Sequence, residues 1–188
     1  MRAFVGIPLP GSFSDWLQTR RTIFASILPK LILVPVSSCH ITLRFLGEVP
    51  NEGIADVIER LTRSLSVMPG TTVVLDRFGM FLRDGHPTVL WTGPNVVPQA
   101  LMGLAAKTDR CMSGVGSNGR TERFVPHVTL GRFAPGTRGE DVAAIDEAEA
   151  AEPYAVSVTD VVLYESIIGQ GHPVYVARAS VRLAPFAE

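Results

Sequence analysis

Apolar residues along the chain switch between a spacing near 3.6 and strict alternation, the two periods that separate a helix with one buried stripe from a strand with one buried face. Met1 to Pro8 carries one basic residue and then too few apolar ones for a signal peptide, so it reads as a first strand. Phe13, Trp16, Leu17, Ile23 and Ile27 recur at helical spacing behind Ser12 and Asp15, a capping signal, and Pro29 closes that helix. A second helix is predicted by Ile54, Val57, Ile58, Leu61 and Leu65, entered at Asn51 and stopped by Pro69-Gly70. Strands follow at 71–77 and, after the turn Asp84-Gly85-His86-Pro87, at 88–92. The order then recurs: a helix over 99–112, a strand holding His127, a helix over 140–150, and strands over 154–164 and 174–183 parted by Gly169-Gln170-Gly171. Segments 114–120 and 135–139 are short Gly-rich loops between patterned stretches, so they are not domain linkers. Helices interleaved with hairpin-linked strands define an α+β fold with mostly antiparallel sheets.

The recurrence has a sharper marker in the histidines. His40 opens His40-Ile41-Thr42-Leu43-Arg44-Phe45, and 87 residues later His127 opens His127-Val128-Thr129-Leu130-Gly131-Arg132-Phe133. The other two histidines form a second matched pair, Gly85-His86-Pro87 and Gly171-His172-Pro173, 86 residues apart. All four therefore fit one internal repeat, which implies two similar halves related by a pseudo-twofold. At 188 residues the whole chain, 1–188, is expected to be one domain of two pseudo-symmetric lobes, large enough to hold a core without disulfides or a structural metal.

Charge narrows the partners. Seventeen Lys and Arg oppose 18 Asp and Glu, a formal net charge of −1, which argues against a broad phosphate-neutralising face but allows a phosphate-bearing ligand in one cleft. No apolar run reaches the ~18–20 residues of a membrane span. Cys39 and Cys111 have no paired spacing, so they read as free thiols in a cytoplasmic protein.

In a strand, residues i and i+2 face the same way. His40 and Thr42 thus share one face while Ile41 and Leu43 take the other; His127 and Thr129, with Val128 and Leu130, repeat the arrangement. One such pair alone would be an ordinary hydrogen-bonded structural histidine. Two in a repeat can meet across a pseudo-twofold, and two imidazoles across a cleft suit an in-line phosphoryl transfer without a metal. One ring, neutral, takes a proton from the nucleophile; the other, charged, gives one to the departing oxygen. The threonine hydroxyls would donate to non-bridging oxygens, with an arginine supplying charge. Arg44 falls on the histidine face by ideal alternation, whereas Arg132 reaches it only if Gly131 marks a bulge. Cys39, on the opposite face from His40, reads as packing, and His86 and His172 as exposed turn residues.

The stretches His40-Ile41-Thr42-Leu43-Arg44-Phe45-Leu46-Gly47 and Arg123-Phe124-Val125-Pro126-His127-Val128-Thr129-Leu130-Gly131-Arg132 resemble the paired motifs of the two-histidine (2H) phosphoesterase superfamily, and within it the LigT-like RNA 2′,3′-cyclic phosphodiesterases. The opening strand, the hairpin from Phe78 to Trp91 and the C-terminal hairpin around Tyr164 and Tyr175 extend the likeness over nearly the whole chain. One stretch departs from it: an aromatic-containing segment common in the family before the first motif is here Leu33-Val34-Pro35-Val36-Ser37-Ser38. The resemblance implies two mostly antiparallel sheets facing a central groove, with helices outside. It implies cofactor-free, metal-independent hydrolysis of a 2′,3′-cyclic phosphate to a 2′-phosphomonoester, together with a reversible 2′-5′ RNA ligation. His40 would be the proton donor and His127 the acceptor, with Thr42, Thr129 and Arg132 on the phosphate and Arg44 a further candidate. The implied partners are RNA ends, small 2′,3′-cyclic nucleotides or tRNA fragments, met by a cytoplasmic monomer. The competing readings are a metal-dependent phosphoesterase and a nucleotide- or RNA-end-binding module without turnover.

Overall fold

The computed structural model describes residues 1–28, 30–117, 124–138, 152–168 and 173–186. The expected helix at 140–150, the turn at 169–171, His172 and parts of both Gly-rich loops lie outside these. In chain order the elements are β1 (Arg2–Pro8), α1 (Ser12–Ile27), β2 (Leu31–Leu33), β3 (His40–Glu48), α2 (Ile54–Leu65), β4 (Thr71–Leu75), β5 (Arg77–Arg83), β6 (His86–Gly93), α3 (Gln99–Cys111), β7 (Val128–Phe133), β8 (Tyr154–Val158), β9 (Asp160–Ile167) and β10 (Val174–Arg182).

Helix burial follows the predicted stripes. α1 turns Phe13, Leu17 and Phe24 inward, and α2 turns Val57, Leu61 and Leu65, one residue per turn. Ser12 is already inside α1 instead of capping it, and its hydroxyl hydrogen-bonds the Tyr154 hydroxyl at 2.6 Å. The α2 entrance is a 3₁₀ turn at Asn51–Gly53.

Two expected strands each break in two. The stretch 71–77 leaves the small sheet at Asp76, and 154–164 does so at Thr159. Both breaks are phase slips in the alternation: Val73 and Leu75 are buried and then Phe78, as Val156 and Val158 are buried and then Val161 and Leu163. β4 and β8 pair with each other as a two-stranded sheet, while β5 and β9 join the large one.

The large sheet runs β10-β9-β1-β3-β7-β6-β5, with β2 paired to β7, and every pairing between these strands is antiparallel. The repeat reads through this order. The first copy is β1-α1-β3-α2-β4-β5, and the second supplies β6-α3-β7 and then β8-β9. β9-β1-β3 on one side therefore mirrors β5-β6-β7 on the other. Each copy gives its last strand to the other half, since β5 pairs with β6 and β9 with β1. The two half-sheets meet edge to edge at a single pair, Ile41 opposite Val128. Both residues are fully buried in the core, with Leu43, Leu46, Leu90, Leu130 and the inward faces of the helices.

Candidate active site

The pseudo-twofold runs through the Ile41–Val128 pair, and the site follows from that one contact. In an antiparallel pair, residues on either side of a matched couple sit opposite one another and share a face. His40 therefore lies across from Thr129, and Thr42 across from His127. Because Ile41 and Val128 point into the core, all four polar side chains point the other way. Two strands that meet at one residue pair thus place a His-Thr-His-Thr quartet on one surface.

Each ring is held the same way. His40 Nδ1 lies 2.8 Å from the Ser38 carbonyl and His127 Nδ1 lies 2.7 Å from the Val125 carbonyl, in both cases two residues upstream. A carbonyl only accepts, so Nδ1 carries the proton and donates in both, which leaves Nε2 as the reactive nitrogen of each neutral ring. His40 Nε2 lies 3.1 Å from Thr42 Oγ1, the position of a hydroxyl partner for that lone pair.

Aromatic walls flank the two rings. Phe4 lies 4.6 Å from the His40 ring, stacks on Tyr164 at 5.0 Å, and Tyr175 stands edge-on to His40 at 5.1 Å. On the other side Phe81 is edge-on to His127 at 4.7 Å, and Trp91 lies 6.3 Å from it. Phe4 and Trp91 are repeat mates, 87 residues apart. Burial drives His40 down from the ordinary imidazole range to about 4, opposed by its bond to the Ser38 carbonyl and reinforced by the neighbouring His127. His127 is also lowered, chiefly by burial, against its bond to the Val125 carbonyl. In the free protein both rings are thus neutral at pH 7.

The two candidate arginines part company. β3 carries a bulge, with Gly6 opposite Thr42 but Val5 opposite Arg44, so Leu43 is the extra residue. After the bulge Arg44 turns into the core, 4% exposed, and pairs with Asp109 of α3, while Phe45 takes the outer face. The expectation that Arg44 joins the histidine face is corrected on that ground. β7 bulges at the matching place, Leu130 being the extra residue between Thr129 and Gly131. Leu130 and Phe133 are buried and Arg132 is exposed, on the side of Thr129. Cys39 is buried, as expected, with its thiol pushed up to about 12 by burial, and His86 is exposed. Among the described residues no group of three His, Cys, Asp or Glu side chains is arranged to hold a metal ion.

Phe4, Phe81, Trp91, Tyr164 and Tyr175 escaped the sequence reading as site residues. The signal was present for Phe4 and Trp91, which sit at one repeat offset, but their place beside the histidines depends on strand order. Gly79 depends on it too, since a Cβ there would meet the Trp91 indole at 2.2 Å. Gly79→Ala is expected to push that ring off its seat, destabilising the fold by about 1–3 kcal/mol in chemical denaturation and shifting the tryptophan emission.

An antiparallel α+β duplication with two His-x-Thr strands converging on one face defines a two-histidine phosphoesterase architecture. Residues 9–167 match the 2′-5′ RNA ligase superfamily, and the chain belongs to that family. It is 31% identical over 144 residues to an RNA 2′,3′-cyclic phosphodiesterase of Thermotoga maritima, covering 76% of this chain and 74% of the relative. It is 30% identical over 182 residues to the enzyme of that name from Escherichia coli, covering 93% and 92%. Among solved structures, Escherichia coli LigT complexed with 3′-AMP superposes with a TM-score of 0.73 at 27% identity, covering 97% of both chains.

Proposed function

We propose that this chain is an RNA 2′,3′-cyclic phosphodiesterase that opens a terminal 2′,3′-cyclic phosphate to a 2′-phosphomonoester by acid–base catalysis between His40 and His127. The observation that carries this reading is the quartet around the Ile41–Val128 pair, with both Nδ1 atoms tied to carbonyls. Neutral His127 takes a proton from water as its oxygen attacks phosphorus, and protonated His40 gives one to the departing 3′ oxygen. Thr42 and Thr129 donate to the non-bridging oxygens, and Arg132 supplies positive charge beside them. The same proton transfers in the same direction join a 5′ hydroxyl that takes the place of water to the 2′ phosphate, with the 3′ oxygen again departing, and run backwards they cleave that 2′-5′ linkage, so a reversible 2′-5′ ligation needs no further groups. The relatives' names support hydrolysis, and the name of the matching family supports the 2′-5′ joining. The deciding experiment incubates the protein with an oligoribonucleotide ending in a 2′,3′-cyclic phosphate, with a chelator present, and locates the product phosphate. A 2′-monoester is expected; a 3′-monoester, or turnover abolished by the chelator, overturns the reading.

The acid role of His40 has a consequence in pH. The reactive form holds one proton between the two rings, and both are lowered in the free protein, His40 to about 4. That form therefore drains away as pH rises toward and past the ordinary imidazole value of about 6.5, and kcat/KM should then fall tenfold per pH unit. A bound phosphate anion raises both rings, so the kcat profile should lie at higher pH than that of kcat/KM. A kcat/KM that climbs to a plateau above pH 7 would contradict the assignment.

A further inference from the structure

Around the symmetric quartet, the two halves of the site differ in charge. Strand register identifies the repeat mates. Gly6 pairs with Val162 as Gly93 pairs with Arg77, and Phe4 pairs with Tyr164 as Trp91 pairs with Gly79. Val162 and Arg77 thus hold equivalent places, and the same offset sets Ile168, one residue past the end of β9, against Arg83. On β3 and β7, Phe45 is set against Arg132, after matching bulges. At three mate positions an arginine of the His127 half stands where the His40 half has an apolar residue.

Those arginines share the histidine face. The Arg77 guanidinium lies 4.9 Å over the Trp91 ring, and Phe81 touches His127. Alternate β5 residues from Arg77 through Phe81 therefore face the quartet, and exposed Arg83 continues the row. None of the three is ion-paired among the described residues, whereas Arg178 and Arg182 of the other half are held by Glu165 and Asp160. Between Arg77 and Gly93 the only carboxylate is Asp84, at the hairpin tip. Arg77 and Arg83 are six residues apart, about 20 Å of strand. One phosphate cannot meet both, and a cyclic mononucleotide has only the phosphate that the quartet holds.

We propose that Arg77 and Arg83 form a track for the backbone phosphates of an RNA strand whose cyclic end reacts between the histidines, with Arg132, in register between them on β7, on the side of the reacting phosphate. The substrate class is then an oligoribonucleotide in preference to a free cyclic nucleotide, an inference that rests on the hydrolytic reading of the site. An exposed row of cations beside aromatic rings is how proteins follow single strands, and so short a row is compatible with a near-neutral chain.

Calorimetric titration with a tetraribonucleotide bearing a terminal 2′-phosphate and with a 2′-phosphorylated mononucleoside tests this directly, because neither ligand needs turnover. The tetranucleotide should bind at least about tenfold tighter, with a log–log salt slope steeper by roughly 1.4 for two added contacts. Arg83→Gln, and Arg77→Gln with Arg83→Gln together, should each lose up to about fivefold per arginine toward the tetranucleotide. Mononucleoside binding should be unchanged in Arg83→Gln, whose parent side chain makes no contact with the histidine shell. Equal affinity for the two ligands, or an equal loss toward both in Arg83→Gln, overturns the track. Turnover of a cyclic-ended tetranucleotide by the same preparations separates the two ideas: retained preference without hydrolysis sinks the catalytic reading alone, and hydrolysis without preference sinks the track alone.

Discussion

Replacing His40 by alanine is expected to lower kcat on a 2′,3′-cyclic phosphate end by about 10²–10⁴-fold, and His127→Ala by a similar factor, since each removes one of the two proposed proton transfers. The symmetry of the site makes the double variant informative. If both rings act on one phosphorus in one step, as proposed, losing the second after the first should cost little more, as with residues that work as a unit. Independent roles would multiply the losses instead. Substrate affinity should hold better than turnover, because the groups proposed to hold the phosphate, Thr42, Thr129 and Arg132, are untouched. His40→Ala also vacates the space beside Phe4, Tyr164 and Tyr175, so its melting temperature is the control for a packing defect. His127→Ala releases the Val125 carbonyl and vacates the space beside Phe81 and Trp91, so it needs the same control. A residual kcat within tenfold of wild type in either variant would remove that ring from the chemistry.

The quartet was legible because it needs only two facts that sequence carries, an internal repeat and the two-residue period of a strand. The arginines were less so. Ideal alternation sends Arg44 to the histidine face, and only the pairing of Val5 and Gly6 shows the extra residue that turns it inward. Gly131 did advertise its bulge, because a glycine inside a strand pattern is itself a signal. The exchange of β5 and β9 between halves left no mark in composition, being a choice of partner. It is nevertheless what brings Phe81 to His127 and Tyr164 to His40. The breaks at Asp76 and Thr159 were readable as phase slips, but each lies within a run of β-formers that propensity alone joins into one strand.

Asp109→Ala is expected to be among the most destabilising single changes outside the apolar core, and the reason lies in that same bulge. Arg44 is 4% exposed and its Nε is buried without a hydrogen-bond partner, so the Asp109 carboxylate is a principal compensation for its charge. Removing one member of a buried pair typically costs about 3–5 kcal/mol. Asp109 keeps 31% of its side chain in water, which places the expected loss toward the lower end of that range. Arg44→Met should cost far less, because it removes the charge together with its need for a partner and keeps an unbranched chain of similar reach. The mate of Arg44 is Gly131, where the other half has no guanidinium and the Leu31 side chain of β2 closes over the backbone. Urea denaturation of both variants checks the ordering. If Arg44→Met proves the worse of the two, the arginine contributes more than a charge held in check, and α3 depends on its hydrogen bonds to stay seated on β3. Turnover should survive either change at the wild-type level below the melting range, since Arg44 points away from the quartet; a loss of kcat in a folded Arg44→Met protein would reinstate it as a functional residue.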